Sequence, residues 1–228
     1  MSMSKSDAPE ALAVLTTVLT ALQANAMMQA SGAAASTLYY TFGAMESFAP
    51  SAIEFNWLGL PLSQCFYLAR VSGITLAGMA AVRAVAQAQT PTGTPAKAVA
   101  LACARFALIQ EAQILAQTTF VSSGDVNEAI AVYNTAFDRA QTEAADAMQI
   151  AAYRSLVTLH AAMSHDLSMR ALQLPSMIRY SFGRSYTAVG LAQRLFGDPT
   201  QAINLVQENK VPHPYFMPLS GSALALAA

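Results

Sequence analysis

Apolar positions recur with a helical period along most of this chain, and the period changes after Pro175. Pro9 to about Ala30 is Ala, Leu and Val with interspersed Thr. It predicts a helix apolar on both faces, buried or used as an interface, with Asp7 placed to cap it and Pro9 in its first turn. Gly32 to Pro61 breaks the pattern. Gly32, Gly43, Pro50, Gly59 and Pro61 punctuate a segment that also gathers Tyr39, Tyr40, Phe42, Phe48, Phe55 and Trp57. Two readings stand for it: a loop-rich docking surface, or the cover of a helical core. Pro61 to Gln89 reads as helix, QTPTGTPAK (Gln89 to Lys97) as a break, and Pro95 as the opening of a helix to about Phe120.

SSGDVNE then makes a turn, in which Asp125 and Glu128 have the spacing of a capping box. From there to about Leu172 there is no glycine or proline. Val126, Ile130, Tyr133, Phe137, Ala140, Ala144, Ala147 and Ala151 step by four and three, a heptad seam whose later alanines allow close helix approach. One continuous helix of this length would be a rod of ~70 Å. Charge is uneven along it. Between Glu111 and Asp146 stand six acids and one base, Arg139; between Arg154 and Arg194 stand five arginines and one acid, Asp166. These are either solvated faces or the two halves of a head-to-tail contact between copies.

After Pro175, MIRYSFGRSY (Met177 to Tyr186) alternates and reads as a strand or hairpin arm. TAVGLAQRLFG reads as a short helix capped by Thr187 and ended by Gly197, with Val189, Leu191 or Ala192, Leu195 and Phe196 on its apolar face. Asp198 caps a further helix, Thr200 to Asn209, with Pro199 at its first position and Ala202, Ile203, Leu205 and Val206 buried. VPHPYFMP is a rigid extended connection and SALALA a last strand. The fold class expected is mainly α: a long-helix hairpin or bundle body, then a small α+β module in the order strand-helix-helix-strand. The expected divisions are a flexible N-terminus at 1–8, an alanine-rich helical domain at 9–174 and the module at 175–228.

Composition adds a constraint. Apolar residues make up 54% of the 228 and charged residues 11%, where about 25% is usual for a soluble domain. Either lipid or partner proteins cover part of such a surface. Ala11 to Met45 holds no charge, but Thr16, Thr17, Thr20, Gln23, Asn25, Gln29 and Ser31 interrupt it. Arg70, Arg83, Arg105 and Glu111 interrupt the later apolar stretches. No integral membrane insertion is therefore expected. Lys5 followed by Asp7 and Glu10 is a poor start for a signal peptide. Cys65 and Cys103 read as buried free thiols in a reducing compartment. A net charge of −1 with three lysines argues against specific nucleic-acid binding.

The chemistry of a catalyst is not legible. His160 and His165 are five apart and share a helix face poorly, and His213 sits between two prolines as a packing histidine. YSFGRSY lacks the G-x-S-x-G pattern, and there is no glycine-rich phosphate loop. The expectation is no enzyme, no metal and no cofactor.

Phe196-Gly197-Asp198-Pro199, Asn209 and the proline-bearing stretch Pro212 to Pro218 resemble a LysM-like module. LAQRLFGD together with NLVQENKVPHPYFMP is similar, more specifically, to the C-terminal end of the Mu-like contractile-phage tail and baseplate proteins known as DNA circularization or circulation proteins. Leu191, Arg194, Gly197, Asp198, Asn209, His213, Pro214, Phe216 and Pro218 carry the likeness, and Ala104 to Ala140 looks like that family's alanine-rich helices. The resemblance spans about Lys97 to the end and leaves out the family's β-rich N-terminal domain; Lys210 and Tyr215 depart from the pattern. It implies a structural virion protein of the tail baseplate, assembled in the host cytoplasm. Its partners would be tube, hub, wedge or tape-measure proteins, and further copies in a ring. It implies docking through Leu191, Arg194, Phe196, Asp198, Asn209, His213 and Phe216. The alternatives are a peptidoglycan-binding LysM-type protein, using Gln201, Asn204 and Tyr215, and a small integral membrane protein.

Overall fold

The computed structural model describes residues 7–27 and 32–225. Seven helices come first: α1 (Asp7–Met27), α2 (Gly32–Glu54), α3 (Gly59–Val71), α4 (Leu76–Ala88), α5 (Thr94–Gln117), α6 (Ser123–Asp146) and α7 (Ile150–Ala171). A small module follows: β1 (Met177–Ser181), α8 (Ala188–Phe196), a 3-10 turn at Pro199–Gln201, α9 (Ala202–Glu208) and β2 (Ser220–Leu224). The chain is thus mainly α with a strand-helix-helix-strand ending. Of the span 1–8, residues 1–6 lie outside the described residues, while Asp7 and Ala8 already belong to α1.

The chain forms two compact units, and they do not divide at residue 174. One holds residues 1–118 and 136–159; the other holds 119–135 and 160–228. The start of α6 and the end of α7 belong with the C-terminal elements. The Ser123 N–H donates to the Pro175 carbonyl at 3.0 Å, and a Cβ on Gly124 would lie 3.4 Å from the Met177 side chain.

In the first unit α5 packs against α1, α3 and α4. It can serve several neighbours because its buried positions are largely alanine: Ala96, Ala100, Ala104, Ala107 and Ala112, with Val99, Cys103, Leu108 and Leu115. Leu15, Leu19 and Leu22 of α1 and Phe66 of α3 fill the same core. Burial pushes the Cys65 and Cys103 thiols up to about 12, Cys103 with a smaller contribution from Cys65 beside it. Glu10 of α1 ties down the break before α5: its two carboxylate oxygens accept from the Thr92 and Gly93 amides at 2.7 and 2.8 Å.

The segment 32–61 is not loop-rich; of the two readings, the cover of the helical core fits, with α2 packed on α1 and α3. α2 runs through Gly43 and Pro50, because Leu38, Phe42, Met45, Ala49 and Ile53 form a buried seam at helical spacing. Gly43 and Pro50 sit on the exposed side, where a local breaker costs less than the seam contributes. The stretch 61–89 is two helices, separated at Gly73.

Four helices, α2, α3, α6 and α9, end in the same paired arrangement of hydrogen bonds. After α6, Gln149 N–H donates to Ala144 O and Met148 N–H to Ala145 O, both at 2.9 Å, with Met148 in the left-handed region at φ 55°. Asn56, Gly73 and Lys210 hold the equivalent position after α2, α3 and α9. The expected rod from 125 to 172 is therefore broken at 147–149. The seam holds from Val126 through Ala144, with Ile130 half-buried, and then stops: Ala147 and Ala151 are exposed. His160 hydrogen-bonds Asn134 Oδ1 at 2.8 Å, a pairing symmetric about Ala147, so α7 returns along α6. Gln149, in the reversal, accepts from Arg105 of α5. The capping box also lies three residues earlier than the sequence spacing suggests. Ser122 Oγ accepts from the Asp125 amide, and the Asp125 carboxylate accepts from the Ser122 amide, both at 3.2 Å.

Met148 is 83% exposed, so replacing it loses little packing, whereas its left-handed backbone costs a side chain about 1 kcal/mol. Met148→Gly is expected to raise stability by about 0.5–1 kcal/mol, read as a higher urea midpoint with unchanged slope.

Candidate functional site

The C-terminal module has a core of its own: Tyr180, Ala188, Leu191, Ala192, Ala202, Leu205, Met217 and Ala223. β1 and β2 pair antiparallel, from Met177 with Leu224 to Ser181 with Ser220. Thr187 Oγ1 caps α8 by accepting from the Gly190 amide at 3.1 Å, and Gly197 ends it at φ 70°. These are the caps the sequence suggests. Ile203 and Val189, expected inside, are 68% and 56% exposed. β1 stops at Ser181, and the last strand starts two residues before SALALA, at Ser220, and runs to Leu224; Leu226 and Ala227 lie outside the described residues. The connection before it is not simply extended. Phe216 N–H donates back to His213 O at 3.2 Å, and Met217, which is buried, donates to Tyr186 O at 2.9 Å.

Four of the residues expected to dock serve the module itself. Leu191 lies in the core, and Phe196 packs half-buried against it. Asp198 Oδ1 accepts from the Thr200 hydroxyl at 2.7 Å and the Thr200 amide at 2.9 Å, which holds its carboxyl below the usual range. Asn209 fastens α9 to β2. Its Nδ2 donates to Leu205 O and Ser222 O, each at 2.8 Å, and its Oδ1 accepts from Ser222 N at 2.9 Å. Gly221 makes room for this: a Cβ there would fall 2.1 Å from Asn209 Oδ1.

Arg194, His213 and Phe216 are exposed. His213 sits among aromatics, with ring centroids 5.4 Å from Tyr215 and 6.0 Å from Phe216. Arg194 belongs to a cluster that sequence reasoning missed. Its Nη1 donates to Tyr186 Oη at 3.1 Å, and its guanidinium lies over the rings of Tyr186 (5.3 Å) and Phe182 (5.9 Å). Arg184 Nε donates to the same phenol at 2.9 Å. The hydrogen bond from Arg184, then the positive charge of both arginines, holds the Tyr186 phenol below its usual range. The sequence shows Phe182, Arg184 and Tyr186 at alternate positions after β1, but the chain bends at Gly183 and Arg184, so alternation alone does not announce the cluster.

The helical body has a different character. On the exposed sides of α1 and α2 four threonine hydroxyls bond back to their own helix: Thr17 to Ala13 O, Thr20 to Thr16 O, Thr37 to Ala33 O and Thr41 to Thr37 O, at 2.8–2.9 Å. Tyr39 and Tyr40 of α2 are 59% and 80% exposed, and Phe55 and Leu60 stand out beyond its end. Ala8–Met27 and Thr94–Gln117 are long and apolar enough to cross a membrane by length and composition; over half of the second is buried inside the protein. Among the described residues, no three His, Cys, Asp or Glu side chains gather where they could hold a metal ion. His160 and His165 do not act together: His160 is bonded to Asn134, and His165 is exposed.

No family model matches the chain, and no curated protein matches its sequence.

Proposed function

We propose that this protein is a structural, non-catalytic component of a contractile bacteriophage tail baseplate. It bridges tube, hub or wedge proteins, and its C-terminal module clamps a neighbour. The observation that carries an assembly role is the outer side of α1 and α2. From Ala11 to Met45 no residue is charged, and Thr17, Thr20, Thr37 and Thr41 already bond to their own backbone. Covering such a face with another protein strands few donors, and its apolar atoms then contribute their transfer free energy. The likeness of Leu191 to Pro218 to the tail-protein ending supports the kind of assembly. The same face and the two long apolar helices favour a second reading, contact with a bilayer.

Tyr40 tests this. At 80% exposure, Tyr40→Glu should change folding stability by no more than about 0.5 kcal/mol. In contractile-tail particles purified on a density gradient, the unaltered chain should be present in fixed ratio to the tube protein. The variant should be reduced by about tenfold or more, which corresponds to about 1.4 kcal/mol of lost binding. A chain absent from the particles that runs as a lone monomer overturns the proposal. Resistance to a carbonate wash would assign the face to lipid, and retention on purified peptidoglycan would assign the module to the cell wall.

A further inference from the structure

We propose that Arg184, Arg194 and Tyr186 form a binding site for a carboxylate, supplied by an acidic segment of a neighbouring protein. The proposal rests on the reading of the module as a docking unit, but it stands on its own geometry. Both guanidinium groups donate to one phenol oxygen, so the two donor nitrogens are no more than 6.0 Å apart. Both cations also lie over the Tyr186 ring, at 5.0 and 5.3 Å.

Two like charges this close repel, and among the described residues neither has an anion to offset the other. Arg83, Arg139 and Arg170 each pair with a carboxylate. Among the described residues, none lies within 4.0 Å of Arg184 or Arg194. The module cannot easily supply one. Its acids after Pro175 are Asp198 and Glu208, against Arg179, Arg184, Arg194 and Lys210, and Asp198 is held by Thr200.

Tyr186 uses only Nε of Arg184 and Nη1 of Arg194. Both Nη groups of Arg184 remain, as do Nε and Nη2 of Arg194, so each fork keeps an edge that matches a carboxylate. The surroundings favour a protein segment over a polyphosphate. Only two cations converge, the chain as a whole carries −1, and Leu219, bonded through its carbonyl to the Phe182 amide, presents an exposed apolar side chain beside the cluster. An acidic residue flanked by apolar ones fits such a surface; a nucleic-acid backbone needs a row of cations.

The test is NMR titration of the 15N-labelled full chain at ionic strength of about 0.1 M, following the arginine Nε–H signals. The probes are a capped hexaglutamate peptide and inorganic phosphate. Hexaglutamate should shift Arg184 and Arg194 saturably, with phosphate at least about tenfold weaker. Tyr186→Phe keeps both charges but removes the oxygen that holds them together, and should weaken peptide binding by about tenfold. Arg179→Gln, which removes an equal charge outside the cluster, should change it by less than about twofold. No shift, an unchanged affinity in Tyr186→Phe, or tighter binding of phosphate than of peptide would each overturn the proposal. None of these needs a tail particle, so the site can fail while incorporation into particles stands, and the reverse.

Discussion

Arg83→Ala is expected to destabilise the helical body by about 3–5 kcal/mol, the usual cost of removing one partner from a buried ion pair. Arg83 Nε donates to Glu111 Oε1 at 2.8 Å, with side-chain exposures of 15% and 0%. The pair fastens α4 to α5, the helix against which α1 and α3 also pack. Without the guanidinium, the carboxylate of Glu111 stays enclosed and loses the charge-assisted hydrogen bond from Arg83. Trp57, the single tryptophan, stacks on Phe48 at 5.3 Å within this unit, so its fluorescence in a urea titration reads the body directly. The double replacement Arg83→Met with Glu111→Met should recover to within about 1 kcal/mol of the parent, because well-packed apolar side chains substitute for a buried pair. A loss below about 1 kcal/mol in Arg83→Ala would show that water reaches the pair.

Gly221→Ala is expected to cost the module about 4 kcal/mol, combining overpacking with the loss of buried hydrogen bonds. The added methyl would sit 2.1 Å from Asn209 Oδ1, 2.6 Å from the Tyr180 hydroxyl oxygen and 2.8 Å from Tyr180 Cζ. Neither neighbour can yield cheaply. Tyr180 is 6% exposed and lies in the core, and moving the Asn209 amide releases both backbone groups of Ser222. Amide exchange measured by NMR should show protection lost from β1, β2 and α9, while the Trp57 transition is unchanged. Retained protection in β2 would mean that the strand can slide away from α9.

The parts of this architecture that were legible are those written in local chemistry. Thr187, Gly197 and Asp198 mark the ends of α8 and the turn after it, because a cap needs one side chain at one position. The mainly α body and the strand-helix-helix-strand ending follow from the change of period after Pro175. What was not legible depended on competition between local and tertiary terms. Gly43 and Pro50 announce breaks, yet the buried seam from Leu38 to Ile53 carries α2 past both. The reversal after α6 is built on Met148, with no glycine to announce it, so a strongly helical sequence conceals a turn. Ser122–Asp125 and Asp125–Glu128 have the same spacing, and only the position of the first turn decides between them. For the site, the resemblance picked out Arg194 but also residues that build the module, such as Asn209 and Leu191. Motif positions of that kind mix what a fold needs with what a surface offers. Tyr186 and Arg184 became visible only once the bent connection after β1 had placed them on Arg194.

The two thiols enclosed in the body have one more consequence. A sulfur that ionises only near the alkaline extreme is invisible to alkylating reagents at neutral pH for as long as the helices stay shut. Any modification of Cys65 or Cys103 therefore waits on the opening of α3 and α5. The protein carries an internal clock for its own opening, and a partner seated on the body would be seen to slow it.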